Sequence, residues 1–323
     1  MNGFTPFVAA VLIAAGAAQA AADYPDRPIT VIVPHAAGGP TDTVSRLVAE
    51  SMSRTLGQTL VVENVGGAGS TVGTARAARA EPDGYTLLIN HVAQATSATL
   101  YRKLAYDPDG DFDGIGLITD VPMTVVARGD FAPTTIGELL DYVRTNKENV
   151  TYAHAGVGSA SHLCGMLLMD ALDVSLTTVP YKGTGPAMTD LLGGQVDMMC
   201  DQTTNTVPQI ESGKIKGYAV TTPERLPVLP SLPTLDESGL KGFDMTVWHG
   251  MYAPAGTPKE ILDKLSGALQ VALADPKVIE RFAQLGTVPV AAEEATPAAL
   301  DQHLAAEIER WKPIIEAAGV YAD

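Results

Sequence analysis

The segment Ile29-Thr30-Val31-Ile32-Val33-Pro34-His35-Ala36-Ala37-Gly38-Gly39-Pro40-Thr41-Asp42 decides the fold. Its first five residues are β-branched and nearly all apolar, as expected of a strand covered by helices on both faces of a parallel sheet. Gly38-Gly39 then permits a turn that an L side chain resists, and Pro40 with Asp42 fits the first turn of a helix, where no backbone donor is wasted and a carboxylate meets the positive end of the dipole. The same device recurs as Tyr152-Ala153-His154-Ala155-Gly156-Val157-Gly158-Ser159-Ala160-Ser161-His162, again a strand, a glycine turn and a helix start.

Working outward, strand-like and helix-like runs alternate. Ile29–Val33, Thr41–Leu56, Leu60–Glu63, Thr71–Ala80 and Tyr85–Asn90 read βαβαβ. The order restarts after Pro133, with strands at Val150–Ala153, Thr177–Pro180, Val196–Cys200 and Ile215–Thr221 and helices at Ser159–Leu172, Pro186–Leu192 and Thr206–Glu211. Val247–Ala253 reads as one more strand, and Lys259–Ala274, Pro276–Leu285 and Ala298–Ala318 as helices that return to the first unit. The expected class is α/β: two doubly wound lobes around a central cleft, residues 23–125 plus 248–323 forming one lobe and 126–247 the other. The chain would cross between them near Val121–Arg128 and Phe243–Trp248.

Phe7–Ala18 is an apolar run followed by small residues around Ala20, which reads as a signal peptide over residues 1–22 and hence export to the periplasm. No Lys or Arg precedes that run, and twelve residues are too few to span a bilayer. The remainder, about 300 residues, suits two lobes of ordinary size. A formal net charge of −16 argues against nucleic acid, whose phosphates demand clustered Lys and Arg. Two cysteines, Cys164 and Cys200, can pair in an oxidising compartment, although two buried thiols acting as small hydrophobes is the favoured reading.

In open α/β sheets ligands bind beyond the carboxyl ends of strands, where helix N-termini point outward, so each glycine turn is an anion seat. The candidate ligand-binding residues are His35, Ala37, Gly38, Gly39, Thr41 and Asp42 on the first turn and His154, Gly156, Gly158, Ser159, Ser161 and His162 on the second. Asn90, His91, Thr184 and Asp201 join them from neighbouring strand ends and helix starts. Two seats suit an acid charged at both ends. Flat imidazoles favour an aromatic dicarboxylate such as a phthalate isomer slightly over citrate or a four-carbon acid, with Asp201 accepting from a hydroxyl, an amino group or an imidazole.

Rival readings rest on the same residues. Ser159, His162 and Asp201 are the residue types of a hydrolytic triad, but Gly158-Ser159-Ala160-Ser161 lacks the Gly-x-Ser-x-Gly elbow. Four of the six histidines, His35, His91, His154 and His162, fall on the cleft edge, yet none are spaced as a local metal pair. An exported hydrolase or a metal-binding protein remains the alternative, and no cofactor is expected. Lys182 is the cation nearest a strand end, and Trp248 and Tyr252 can either wall a ligand or pack in the core.

Beside these features stand Val62-Glu63-Asn64 with Gly66 to Gly69, Ala80-Glu81-Pro82-Asp83-Gly84-Tyr85-Thr86-Leu87, Val179-Pro180-Tyr181-Lys182-Gly183 and Leu192-Gly193-Gly194-Gln195-Val196-Asp197. With Val33-Pro34, Ala37-Gly38-Gly39, Asp42 and Gly156-Val157-Gly158-Ser159, the chain resembles the receptors of tripartite tricarboxylate transporters, the Bug-type periplasmic solute-binding proteins. The resemblance covers the whole mature length. It implies a Venus-flytrap receptor, a monomer, that closes on a carboxylate without turning it over and serves membrane transporter subunits or a sensor. His35 stands where that family often carries an aromatic residue, and His154 where it often carries Ser.

Overall fold

The computed structural model describes residues 24–322, so the expected signal peptide over residues 1–22 lies outside the described residues. One half holds the strands β1 (Ile29–Val33), β2 (Leu60–Asn64) and β3 (Thr86–His91) with the helices α1 (Pro40–Leu56), α2 (Thr71–Ala78) and α3 (Ala93–Leu100). The strand β4 (Phe112–Arg128) leads into the other half, made of α4 (Ile136–Asn146), β5 (Thr151–His154), α5 (Ala160–Leu172), β6 (Thr177–Pro180), α6 (Thr184–Leu192), β7 (Met198–Gln202), α7 (Thr203–Glu211) and β8 (Ile215–Val220). The chain returns through β9 (Thr246–Pro254) and ends in α8 (Lys259–Leu273), α9 (Pro276–Gln284) and α10 (Pro297–Ala318).

The strand order is β2-β1-β3-β9-β4-β7-β5-β6, with β8 paired to β4. β2, β1 and β3 are parallel to one another, and so are β6, β5 and β7. The antiparallel members are the crossing strands: β9 against β3 and β4, and β4 against β7 and β8. β4 pairs with β9 up to Pro122 and with β7 and β8 from Met123 or Thr124 onward, so one 17-residue strand serves both halves. Gly114, Gly116, Asp120 and Pro122 interrupt its apolar run, which hides a long strand from sequence reading.

These directions fix the cleft. β9 is antiparallel to both β3 and β4, so β3 runs in the sense of β4, toward the second half; β7 opposes β4 and so runs toward the first. The carboxyl edges of the two parallel sets therefore face each other, with helix N-termini lining both banks.

Apolar burial supports each half. Ile29, Val31, Leu87 and Ile89 pack with Ile261, Leu265, Leu269 and Phe282 of the returning helices in one core. Val126, Ala153, Leu191 and Met199 form a core within the second half. Cys164 on α5 and Cys200 on β7 form a disulfide with a Cα–Cα distance of 6.1 Å, which corrects the reading of two thiols. Sequence alone leaves that distance open; parallel pairing of β5 with β7 sets α5 across the end of β7. Trp248 and Tyr252 are core residues: Trp248 Nε1 donates to Glu307 Oε2, and the Tyr252 ring meets Phe112 edge-on.

Candidate functional site

A cavity lies between the two banks, lined by His35, Gly39, Thr41 and His91 from the first half and by Ser159, Ser161, Thr184, Asp201 and Gln202 from the second. It is tightly closed, with a cavity volume of about 20 Å³, room for about one water molecule and far below the roughly 300–1,000 Å³ typical of small-molecule sites. No Lys or Arg lines it. Positive potential comes instead from the first turns of α1, α5, α6 and α7, which begin at Pro40, Ala160, Thr184 and Thr203 around its wall. Each presents backbone N–H groups without intrahelical acceptors and the positive end of a dipole.

The first bank is a histidine stack. The His35 and His91 rings lie nearly parallel with centroids 4.3 Å apart, and His249 meets His91 edge-on at 5.7 Å. His249 follows from register, since it pairs with His91 across β9 and β3. Sequence reading places that return strand at the hinge, with Trp248 and Tyr252 as candidate ligand walls, and does not single out His249 between them. His91 Nδ1 accepts from the Ala93 backbone N–H, which leaves Nε2 as the protonated nitrogen. Asn90 sits beneath: its Oδ1 contacts His35 Nε2 at 3.4 Å, and its Nδ2 donates to Thr74 and Gln94. It is a support for the stack rather than part of the lining. Burial pushes His35 down to about 4 and His249 to about 3, and holds His91 well below the usual imidazole range, so the bank is neutral at pH 7.

The second bank mixes hydroxyls with a carboxyl group. Ser159 caps α5: its Oγ accepts from the His162 N–H at 3.3 Å, while its own proton goes to the Gly156 carbonyl at 2.7 Å. Ser161 Oγ accepts from the Ala155 N–H. Asp201 is buried at the end of β7, its oxygens accepting from the Gln202 N–H and from Asn205 Nδ2. Burial raises its carboxyl to about 7 despite those bonds, so near neutrality it is both acid and acceptor. Gln202 beside it is a lining residue that the sequence reading did not single out. The strand expected over Val196–Cys200 runs on to Gln202, which the sequence reading left outside it.

Several candidates lie elsewhere. Ala37 and Gly38 are exposed on the outer side of the first turn, against Gly185 and Pro186. Asp42 is committed to structure, accepting from the Gly38 N–H at 2.9 Å and pairing with Arg46 at 2.9 Å. The His154 and His162 rings pack together 4.9 Å apart, off the cavity wall, and their Nδ1 atoms accept from the Gly156 and Gly158 N–H groups. Gly156 and Gly158 thus have their donors turned toward imidazoles rather than toward the cavity. Lys182 is exposed away from the lining.

The rival chemistries find little here. Ser159 donates to a carbonyl and His162 Nδ1 takes a backbone N–H, so no hydroxyl–imidazole relay is assembled. Among the described residues no group of three His, Cys, Asp or Glu side chains is placed to hold a metal ion.

A family model described as the tripartite tricarboxylate transporter family receptor matches residues 44–320. The chain is 57% identical over 302 residues to the protein of the TAR-I ttuE-ttuC' intergenic region of Agrobacterium vitis, covering 94% of this chain and 87% of that one. It is similar to the structure of the periplasmic binding protein BugD, with 56% identity, a TM-score of 0.90, and coverage of 92% of this chain and 99% of that one. It is also similar to MatC from Rhodopseudomonas palustris with bound malate, with 44% identity, a TM-score of 0.87, and coverage of 90% and 100%.

Proposed function

The chain belongs to the tripartite tricarboxylate transporter receptor family, and from that premise we propose that it captures a small aliphatic dicarboxylate in the periplasm for a membrane transporter, without turnover. The observation that carries this reading is a cationless cavity ringed by helix N-termini from both halves, with Asp201 poised as a neutral donor. Fixed dipoles and hydroxyls attract carboxylates without a point charge, and each charge-assisted bond contributes on the order of 1.5–3 kcal/mol. The working ligand set is His35, Gly39, Thr41, His91, Ser159, Ser161, Thr184, Asp201 and Gln202, with His249 behind the stack as a support.

The close approach of the two banks favours a compact four-carbon acid over a broader aromatic one. The flat imidazoles that suggested a phthalate are stacked on one another, which takes one face of each away from a ligand ring. Malate bound to a relative is in keeping with this, and a hydroxyl between two carboxylates is what Asp201 or Gln202 would accept from. The moving bodies would be residues 24–122 with 246–322, and 123–245, turning about the paired crossings of β4 and β9.

Calorimetric titration with malate, succinate, citrate and phthalate tests the assignment. Malate is expected to bind tightest, and to elute chemically intact from the protein. Tighter binding of phthalate would reverse the size argument, and recovery of a transformed ligand would make the protein an enzyme.

A further inference from the structure

The edge of the cleft is closed by glycines whose missing side chains face backbone of the opposite half. A Cβ on Gly183 would lie 2.8 Å from Ala36 Cβ and 2.9 Å from its nitrogen, although at φ 160° this backbone is extended and open to any residue. One on Gly185, in the first turn of α6, would lie 2.9 Å from the Ala37 carbonyl oxygen. From the other bank, a Cβ on Gly66 would meet the Lys182 oxygen at 2.8 Å, and one on Gly69 the Val157 oxygen at 2.2 Å. These four positions flank the cavity without lining it.

We propose that Gly183 and Gly185, opposed by Gly66 and Gly69, are positioning residues for closure: the halves reach ligand-holding distance only because no Cβ stands between them. The inference rests on the reading of the chain as a closing receptor. Its physical basis is that backbone atoms at a contact this close cannot rotate away as a flexible side chain can, so one methyl group wedges the mouth open. Ligand would still reach the walls of either bank but would leave faster, because release follows the open population.

Gly185→Ala gives the sharper test because fold and function should move apart. Alanine is the better helix former, so the ligand-free melting temperature is expected to hold or rise. Malate affinity is expected to fall by on the order of tenfold or more, mainly through faster release. Gly183→Ala, which needs no unusual backbone angle, should reproduce the loss. Gly137→Ala on α4, where a Cβ has nothing within 4 Å, should leave affinity unchanged. Spin labels at Val72→Cys and Leu192→Cys, exposed residues of opposite halves, report the distance between the halves directly. A short-distance population in the unsubstituted protein that Gly183→Ala and Gly185→Ala abolish supports the proposal. Retention of that population or of full malate affinity in both variants overturns it, as does its absence from the unsubstituted protein under all conditions. Should malate and the other acids fail to bind, the functional reading falls, while the ligand-free distances still judge the glycines.

Discussion

At the scale of single residues the cavity is a set of opposed titrations. Asp201 has its folded pKa raised to about 7 by burial, above the ordinary carboxylate value, so its stabilising contribution is full below about 4 and is lost as pH rises through about 7. A dianionic ligand prefers the neutral carboxyl. Its affinity is therefore expected to fall as pH rises from 6 to 8, by up to about tenfold per unit. Asp201→Asn should flatten that slope in calorimetric titrations; an unaltered slope would assign the proton elsewhere. His35 and His249 behave in the opposite sense. Their folded pKa values, about 4 and about 3, lie below that of a free imidazole, so the unfolded chain takes up their protons first. Melting temperature should accordingly drop between pH 7 and 5, and His35→Gln with His249→Gln should soften the drop.

At the scale of elements, the second bank is fixed by cross-links between α5 and β7. The disulfide closes a loop of 36 residues, worth about 4 kcal/mol in the chain-entropy account. Tyr152 adds to it, its hydroxyl donating to the Ser161 carbonyl and accepting from the Cys200 N–H. Replacing both cysteines by alanine should lower the denaturation midpoint by a corresponding amount and weaken binding less, because Tyr152 still registers helix against strand. Ser159→Ala removes both a helix cap, worth about 1 kcal/mol, and a hydroxyl of the cavity wall. It is expected to cost stability and affinity together, whereas His162→Ala, off the wall, should act mainly on stability. Equal affinity losses for the two would return His162 to the site.

At the scale of the molecule, charge and site work against each other. A surface carrying −16 would repel the dianion proposed as ligand while the cavity would attract it, and only the first of these effects is long-ranged. Added salt should therefore raise the association rate of malate while leaving dissociation nearly constant, as stopped-flow mixing would show. A site built on exposed lysines would give the reverse. In the proposed closure the crossings of β4 and β9 would supply the hinge, and their antiparallel pairing up to Pro122 would let the halves turn without parting a sheet edge.

The sequence by itself determined the α/β class and the two glycine turns, because apolar runs, glycine and helix starts are local signals with local causes. Within the candidate site it yielded His35, Gly39, Thr41, His91, Ser159, Ser161, Thr184 and Asp201, all lying at strand ends or helix starts that the alternation locates. It also named Ala37, Gly38, Asp42, Asn90, His154, Gly156, Gly158 and His162, which lie off the cavity wall, since which side of a turn a residue faces depends on the opposite bank. Tertiary structure alone decided the rest. His249 joins the histidine stack through antiparallel register with His91, Cys164 meets Cys200 through strand order, and Gly183 meets Ala36 across a gap of almost 150 residues of chain. Each is a contact between segments distant in sequence, set by packing of whole sheets rather than by the residues on either side.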